Sequence, residues 1–288
     1  MRSFWWAFGF VLVLVAAWLF CFGRAGYSSS EKAPALIILM YHKVTPDPHS
    51  GGLGLRVSPA SFAAQMRYLR DHGYTVISMN EVPDFLRGKK SLPPKPVVIT
   101  FDDGYRDNYR YALPVLKAFG YTATVYLVAH AVGGYNFFDA NRGVQPRNEM
   151  LTWEEIREMQ AAGITFGAHT LDHPSLISLS PEEALSQIRG AKEFLEEKLG
   201  CPVVHFSYPY GDFNSEVAAI VAAAGYKTAV TDTPGVNYRG ANPFTLKRIR
   251  VTGKHALWRF AYELERHGKE TAGDLQERRK VAKRKGNF

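Results

Sequence analysis

At 288 residues and 46% hydrophobic content, the chain is long enough for one large core and too short for two full domains. Its formal net charge of +8 and pI near 9.4 would suit a nucleic-acid binder, but an apolar N-terminus that signals export excludes nucleic acid as the expected partner. With Cys21 in that apolar run and Cys201 ahead of a late strand, an intrachain disulfide is not expected, and the fold must rest on its own core.

The first feature in chain order is the stretch from Phe4 to Phe22, which carries no charge and one strong helix-weakening residue, Gly9. At about 1.5 Å per residue it covers roughly 28 Å, enough for a hydrocarbon core, and it exceeds the usual signal-peptide apolar region of about 7 to 15 residues. A transmembrane anchor is therefore expected within residues 1–26. The small residues Gly23 and Ala25 flanking Arg24 leave a cleaved signal helix, and a secreted product, as the other reading. Arg2 before the run and Arg24 and Lys32 after it give little orientation signal. Residues 27–34 read as a polar linker and residues 35–270 as the folded domain. Residues 271–288 form a basic tail in which Arg278, Arg279, Lys280, Lys283, Arg284 and Lys285 crowd together. A solvated tail is the plain expectation, and contact with anionic lipid or wall polymer the functional one.

From Leu36 onward, buried-strand runs alternate with helical patterns. Strands are expected at 36–40, 75–77, 97–101, 122–128, 164–168, 203–208, 227–231 and 246–251. Ser58-Pro59 opens a helix to His72, Asn80 caps a short one to Leu86, and another runs from Asp107 to Phe119. Thr152 with Glu155 makes a capping box for a helix to Ala162; Ser180-Pro181 opens one to Leu199, Asn214 caps one to Ala224, and a last helix covers 255–267. Seven or eight strand-helix units in this order imply an α/β fold with a parallel sheet, either closed or nearly closed into a barrel or open and doubly wound. No GxGxxG or GxxxxGK[ST] follows any strand, so a nucleotide fold has no support.

Parallel barrels build their sites where strands end. Here those positions hold Tyr41-His42, Asp102-Asp103-Gly104, His169 with His173, Tyr208-Pro209-Tyr210-Gly211 and Asp232. Two imidazoles and one carboxylate are a common metal set with positions left open, although a histidine pair at this spacing is weak evidence by itself. Hydrolysis at a metal needs one carboxylate to hold the ion and a second, unligated one to take a proton from water, and adjacent aspartates can divide those tasks. Asp232 either supports the site or starts a turn. Tyr135, Phe137, Phe138 and Trp153 either stack on sugar rings or pack on the domain, and His49, His72, His130, His205, His255 and His267 read as structural.

In this order, Thr100-Phe101-Asp102-Asp103-Gly104, His169-Thr170-Leu171-Asp172-His173 and Tyr208-Pro209-Tyr210-Gly211 resemble the first three motifs of the polysaccharide deacetylases, carbohydrate esterase family 4 with its NodB-homology domain. The likeness covers roughly Ala35 to Val251. It implies a distorted (β/α)7 barrel, Asp102 as catalytic base, and Asp103, His169 and His173 as ligands of one divalent ion, Zn²⁺ first with Co²⁺, Ni²⁺ or Fe²⁺ as alternatives. It also implies an oxyanion contact from the Tyr210 backbone N–H. Two departures stand out. The third-motif arginine that orients the base is missing, with Arg248 or Arg250 as its candidate substitute. The late strand Leu246-Lys247-Arg248-Ile249-Arg250-Val251 lacks the family's acid histidine, whereas Leu39-Met40-Tyr41-His42 places one after the first strand. That arrangement resembles the circularly permuted branch that deacetylates poly-β-1,6-N-acetylglucosamine, with His42 as acid. The expected protein is an extracytoplasmic monomer at the cell membrane acting on an amino-sugar polymer. Chitin, peptidoglycan or xylan deacetylation, or an inactive carbohydrate-binding module, are the rival readings.

Overall fold

The computed structural model describes residues 35–268, so the expected N-terminal anchor and the basic tail lie outside the described residues. Among the described residues, no helix is long and apolar enough to cross a membrane. Ten strands occur in them: β1 (Ile37–Tyr41), β2 (Lys43–Val44), β3 (Arg56–Val57), β4 (Thr75–Val76), β5 (Pro96–Phe101), β6 (Thr124–Leu127), β7 (Thr165–Ala168), β8 (His205–Ser207), β9 (Thr228–Pro234) and β10 (Leu246–Arg250). Seven of these, β1 and β5 to β10, pair in parallel in the ring order β1-β10-β9-β8-β7-β6-β5. β5 closes the ring on β1, with Ile37 opposite Val97 and Tyr41 opposite Phe101. The closed barrel is thus the architecture adopted, and the open sheet is not. The expected strand at 75–77 forms, but β4 pairs only with the first residues of β5, as Thr75 opposite Pro96 and Val76 opposite Val97, and is no stave of the ring.

Strand side chains alternate between two faces, and here both faces are filled. On β1 and β5 the outward set Ile37, Leu39, Tyr41, Val97, Ile99 and Phe101 packs under the surrounding helices. The inward set Ile38 and Val98 meets Tyr126, Val230 and Leu246 inside the barrel. The lower interior is apolar, and higher up the inward positions become polar.

The helix starts follow their capping chemistry. The Ser58 side chain accepts from the Ser61 N–H with Pro59 in the first turn, and capping boxes open the helices Trp153–Ala161 and Pro181–Leu199. Asn80 is a correction. The cap there is Ser78, closed into a box by Glu81, and the Asn80 side chain instead meets His205 Nε2 at 2.8 Å. A second difference lies in the expected helix from Asp107 to Phe119, which opens with a π-helical turn, Asn108–Ala112, before α-helix Leu113–Phe119. Pro114 has no N–H to close a regular turn, and the Leu113 N–H reaches back five residues to the Asn108 carbonyl. The widened turn lets Asn108 Nδ2 donate to the His42 carbonyl at 2.8 Å, and Asp107 Oδ1 accept from the Val44 N–H at 3.0 Å.

Candidate active site

Alternation along the staves selects what enters the upper barrel. With Ile38, Val98, Tyr126, Val230 and Leu246 pointing in, a period of two carries His42 after β1, Thr100 on β5 and Asp102 just after it, Ser207 on β8, Asp232 on β9 and Arg248 on β10 to the same interior. Asp103 would leave that interior if the strand simply continued. Its φ of 72° breaks the alternation, and Gly104 follows at 83°, where an added Cβ would come within 2.7 Å of Leu127 Cδ2. Left-handed backbone also occurs at Thr170, His173 and Tyr210, so among the described residues four of the five non-glycine residues with positive φ belong to the three motifs. Such strain persists only where surrounding contacts over-determine it, and it gathers at functional sites.

Those contacts are visible in the His169–His173 loop. The Leu171 and Asp172 N–H groups donate to Gln187 Oε1 at 3.1 and 3.0 Å, and the His173 N–H donates to Thr170 Oγ1 at 2.9 Å. His130 Nδ1 meets Asp172 Oδ1 at 2.8 Å, which gives that histidine the structural role expected of it. His205 is structural too, buried between Thr228 and Asn80.

So held, Asp103, His169 and His173 converge. Asp103 Oδ1 stands 3.4 Å from Nε2 of each histidine, all three residues are buried, and their ligand atoms lie within 4.8 Å of one another. His169 Nδ1 is 2.7 Å from the Ser207 carbonyl. A carbonyl only accepts, so Nδ1 carries a hydrogen and Nε2 is the nitrogen turned to Asp103; burial opposes charge on this ring, but the Asp103 hydrogen bond and the two aspartate charges outweigh it and raise the His169 pKa. Burial opposes charge on His173 and pushes its pKa down to about 3, with the His169 charge adding to the effect. Burial would raise the Asp103 carboxyl, but the His169 hydrogen bond and the surrounding imidazoles hold it well below the usual range. A neutral imidazole and an ionised carboxylate are the forms that ligate a cation, so an ion bound here would displace the proton that Asp103 favours on His169. The donor set therefore fits a divalent metal ion, and two nitrogens with one oxygen suit Zn²⁺ and its neighbours in the transition series.

Asp102 is the other half of the adjacent pair, and it is tied to Arg248 instead. The guanidinium makes a two-pronged contact, Nη1 to Oδ1 at 2.7 Å and Nη2 to Oδ2 at 2.6 Å. Arg248 also donates to the Thr231 carbonyl at 3.0 Å, to Thr100 Oγ1 at 3.3 Å and to Asp232 Oδ1 at 3.0 Å, so its fork is satisfied in a fully buried place. Burial would raise the Asp102 carboxyl, yet the charge and hydrogen bonds of Arg248 outweigh it and keep the group ionised. Of the two arginines named as substitutes for the missing third-motif residue, Arg248 occupies the place. Arg250 is half exposed and lies 3.9 Å from Asp232 Oδ2. Asp232 supports the site by accepting from Arg248 Nη2, the nitrogen that also serves Asp102 Oδ2.

His42 comes from the first stave with Nδ1 buried and without a hydrogen bond. Burial lowers its pKa, while Asp103 and Asp102 pull the other way. Tyr210 lies in the turn Pro209–Gly211, its ring centroid 4.6 Å from that of His173. The turn sits tight on β9, because a Cβ on Gly211, where φ is 72°, would lie 2.4 Å from Asp232 Cβ. Gly211→Ala is therefore expected to push Asp232 off Arg248, destabilise the fold by about 1–3 kcal/mol and cut activity with it. A melting curve beside an assay checks both.

Phe138 is the aromatic of its group that reaches the centre, its ring centroid 4.5 Å from that of His173. Tyr135 packs under Arg147 and Trp153 against Phe194, so these two serve the domain. Sequence reasoning missed Lys43, Asp139 and Arg142. Lys43 is buried over the Tyr105 ring, and Arg142 donates to the Tyr210 hydroxyl at 3.1 Å. Asp139 sits in the single helical turn Phe137–Ala140 and Arg142 just beyond it, too short a stretch for periodicity to carry a signal.

Comparison with known proteins agrees with this geometry. The polysaccharide deacetylase family model matches residues 89–229. YxkH of Bacillus subtilis (strain 168), whose name places it among polysaccharide deacetylases, is 34% identical over 79% of this chain and 75% of its own. The poly-beta-1,6-N-acetyl-D-glucosamine N-deacetylase of Escherichia coli (strain K12) is 24% identical over 73% of this chain, which spans only 36% of that relative. The structure of IcaB from Ammonifex degensii superposes with a TM-score of 0.69 at 30% identity, covering 81% of this chain and 98% of IcaB. By sequence, fold and the constellation at its barrel mouth, the chain belongs to the polysaccharide deacetylase family.

Proposed function

We propose that the chain is a metal-dependent N-deacetylase of an extracytoplasmic amino-sugar polymer, with poly-β-1,6-N-acetyl-D-glucosamine as its substrate. The observation that carries the reading is the pairing of two adjacent aspartates with different partners, Asp103 facing two histidines and Asp102 held by Arg248. The linkage rests on the Escherichia coli relative and on His42, which stands after the first stave.

In this reading Asp103, His169 and His173 hold a divalent ion, Zn²⁺ by preference, which when bound polarises the acetamide carbonyl and acidifies water. Asp102 takes the proton from the attacking water, with Arg248 fixing both carboxylate oxygens so that the base does not rotate away. The Tyr210 backbone N–H meets the developing oxyanion, a role supported by the place of its left-handed turn beside His173. His42 delivers a proton to the departing amine. Acetate and a glucosamine unit leave. The N-terminal apolar run would hold the enzyme at the outer face of the membrane, where such polymers are made.

The test measures acetate release from β-1,6-linked and β-1,4-linked N-acetylglucosamine oligomers. The β-1,6 series should react faster, and a chelator should abolish release until Zn²⁺ or Co²⁺ is returned. Equal rates would remove the linkage assignment. Chelator-resistant turnover would remove the metal.

A further inference from the structure

The loop between β6 and the helix Trp153–Ala161 holds a carboxylate that nothing in the protein partners. Asp139 is 7% exposed, yet its side chain makes no hydrogen bond or ion pair with any described residue. Neither of its oxygens is fully buried, so the carboxylate faces water that a ligand hydroxyl can replace. Its surroundings place it at the centre. The preceding ring, Phe138, lies on His173, and Arg142 three residues on bonds the Tyr210 hydroxyl. The charges that act on Asp139 are those of Asp103, Lys43 and Arg142. Neither cation is committed to it: Lys43 Nζ donates to the Ser50 carbonyl at 2.5 Å and Arg142 to Tyr210.

A free anion beside a cation-binding centre would ordinarily join the metal set. Asp139 does not belong to the cluster formed by Asp103, His169 and His173, and its nearest charge relation to that cluster is repulsion from Asp103. An ionised carboxylate only accepts hydrogen bonds, so the missing partner is a donor. The donors that the proposed reaction brings to this mouth are the hydroxyl groups of the sugar ring.

Resting on the deacetylase reading, we propose that Asp139 is a substrate-binding carboxylate that accepts hydrogen bonds from hydroxyl groups of the N-acetylglucosamine ring whose acetamide is at the centre. The Arg142–Tyr210 contact ties its loop to the turn across the mouth, so that ring recognition and oxyanion contact share one rigid wall.

The experiment compares wild type, Asp139→Ala and Asp139→Asn as full chains, with three readouts: metal affinity by chelator competition, oligomer binding by titration calorimetry, and KM against kcat for acetate release. Asp139→Ala should keep metal affinity, weaken oligomer binding and raise KM by about 10-fold, and leave kcat within about 2-fold. Asp139→Asn, whose amide oxygen still accepts, should recover part of the binding. Loss of metal affinity with unchanged oligomer binding would overturn the assignment in favour of a role at the ion, and unchanged binding and KM would overturn it outright. A wild type that binds oligomers without releasing acetate would defeat the deacetylase reading instead, and the calorimetric arm would still decide the case of Asp139.

Discussion

Asp102→Asn is expected to keep its metal and to lose about 1,000-fold in turnover, the range that a positioned general base supplies. The substitution is nearly isosteric. Its amide cannot accept a proton, while Asp103, His169 and His173 keep their places around the ion site. The adjacent aspartate gives the control. Asp103→Asn should lose metal affinity first and activity only as a consequence, so one carboxylate fails by chemistry and its neighbour by occupancy. Chelator competition with Co²⁺ absorbance separates the two failures, and a melting curve confirms that both variants fold. Acetate release by Asp102→Asn at the parental rate would move the base elsewhere, and loss of its metal would make Asp102 a ligand.

Much of this site was legible because its residues sit where strand period and strand end coincide. Thr100-Phe101-Asp102-Asp103-Gly104 closes a buried run, and the run fixes which of its members point inward. Arg248 could be named from Leu246-Lys247-Arg248 by the same count, although nothing local says that an arginine will be wholly buried in a barrel. Its partner, Asp102, follows β5 and closes the contact only when β1 joins β5 to β10. What stayed hidden has a common cause. Asp139 sits in the single helical turn Phe137–Ala140, Arg142 just after it and Lys43 on the two-residue strand β2, all too short to carry a period, and the π-helical turn after Asp107 depends on one missing N–H rather than on hydrophobic period. Asn80 misled because asparagine suits a helix cap and a hydrogen bond to a buried histidine equally well, and only the barrel brings His205 to it.

Arg248→Ala is the second large effect, and it should appear in stability before activity. The substitution leaves Asp102 buried without its two-pronged partner and Asp232 without its 3.0 Å contact, and breaking a buried ion pair from one side costs about 3–5 kcal/mol. Burial, then opposed only by the charges of His169 and His42, would raise the Asp102 carboxyl, so the base would be weakened as well as its support. Arg248→Lys keeps the charge but presents a point donor where a planar fork spans two carboxylate oxygens and reaches Asp232, Ser207 and Thr100 at once. It should therefore destabilise less than alanine while recovering little of the activity, because orientation of the base depends on both prongs. Removing both charges in Arg248→Met with Asp102→Asn should cost less than the sum of the single changes, since no unpaired charge is then left at that contact. Denaturant midpoints for Arg248→Met, Asp102→Asn, their double and wild type read this directly. Additive losses would mean that Arg248 and Asp102 are stabilised independently, and the place of the missing third-motif arginine would again be open.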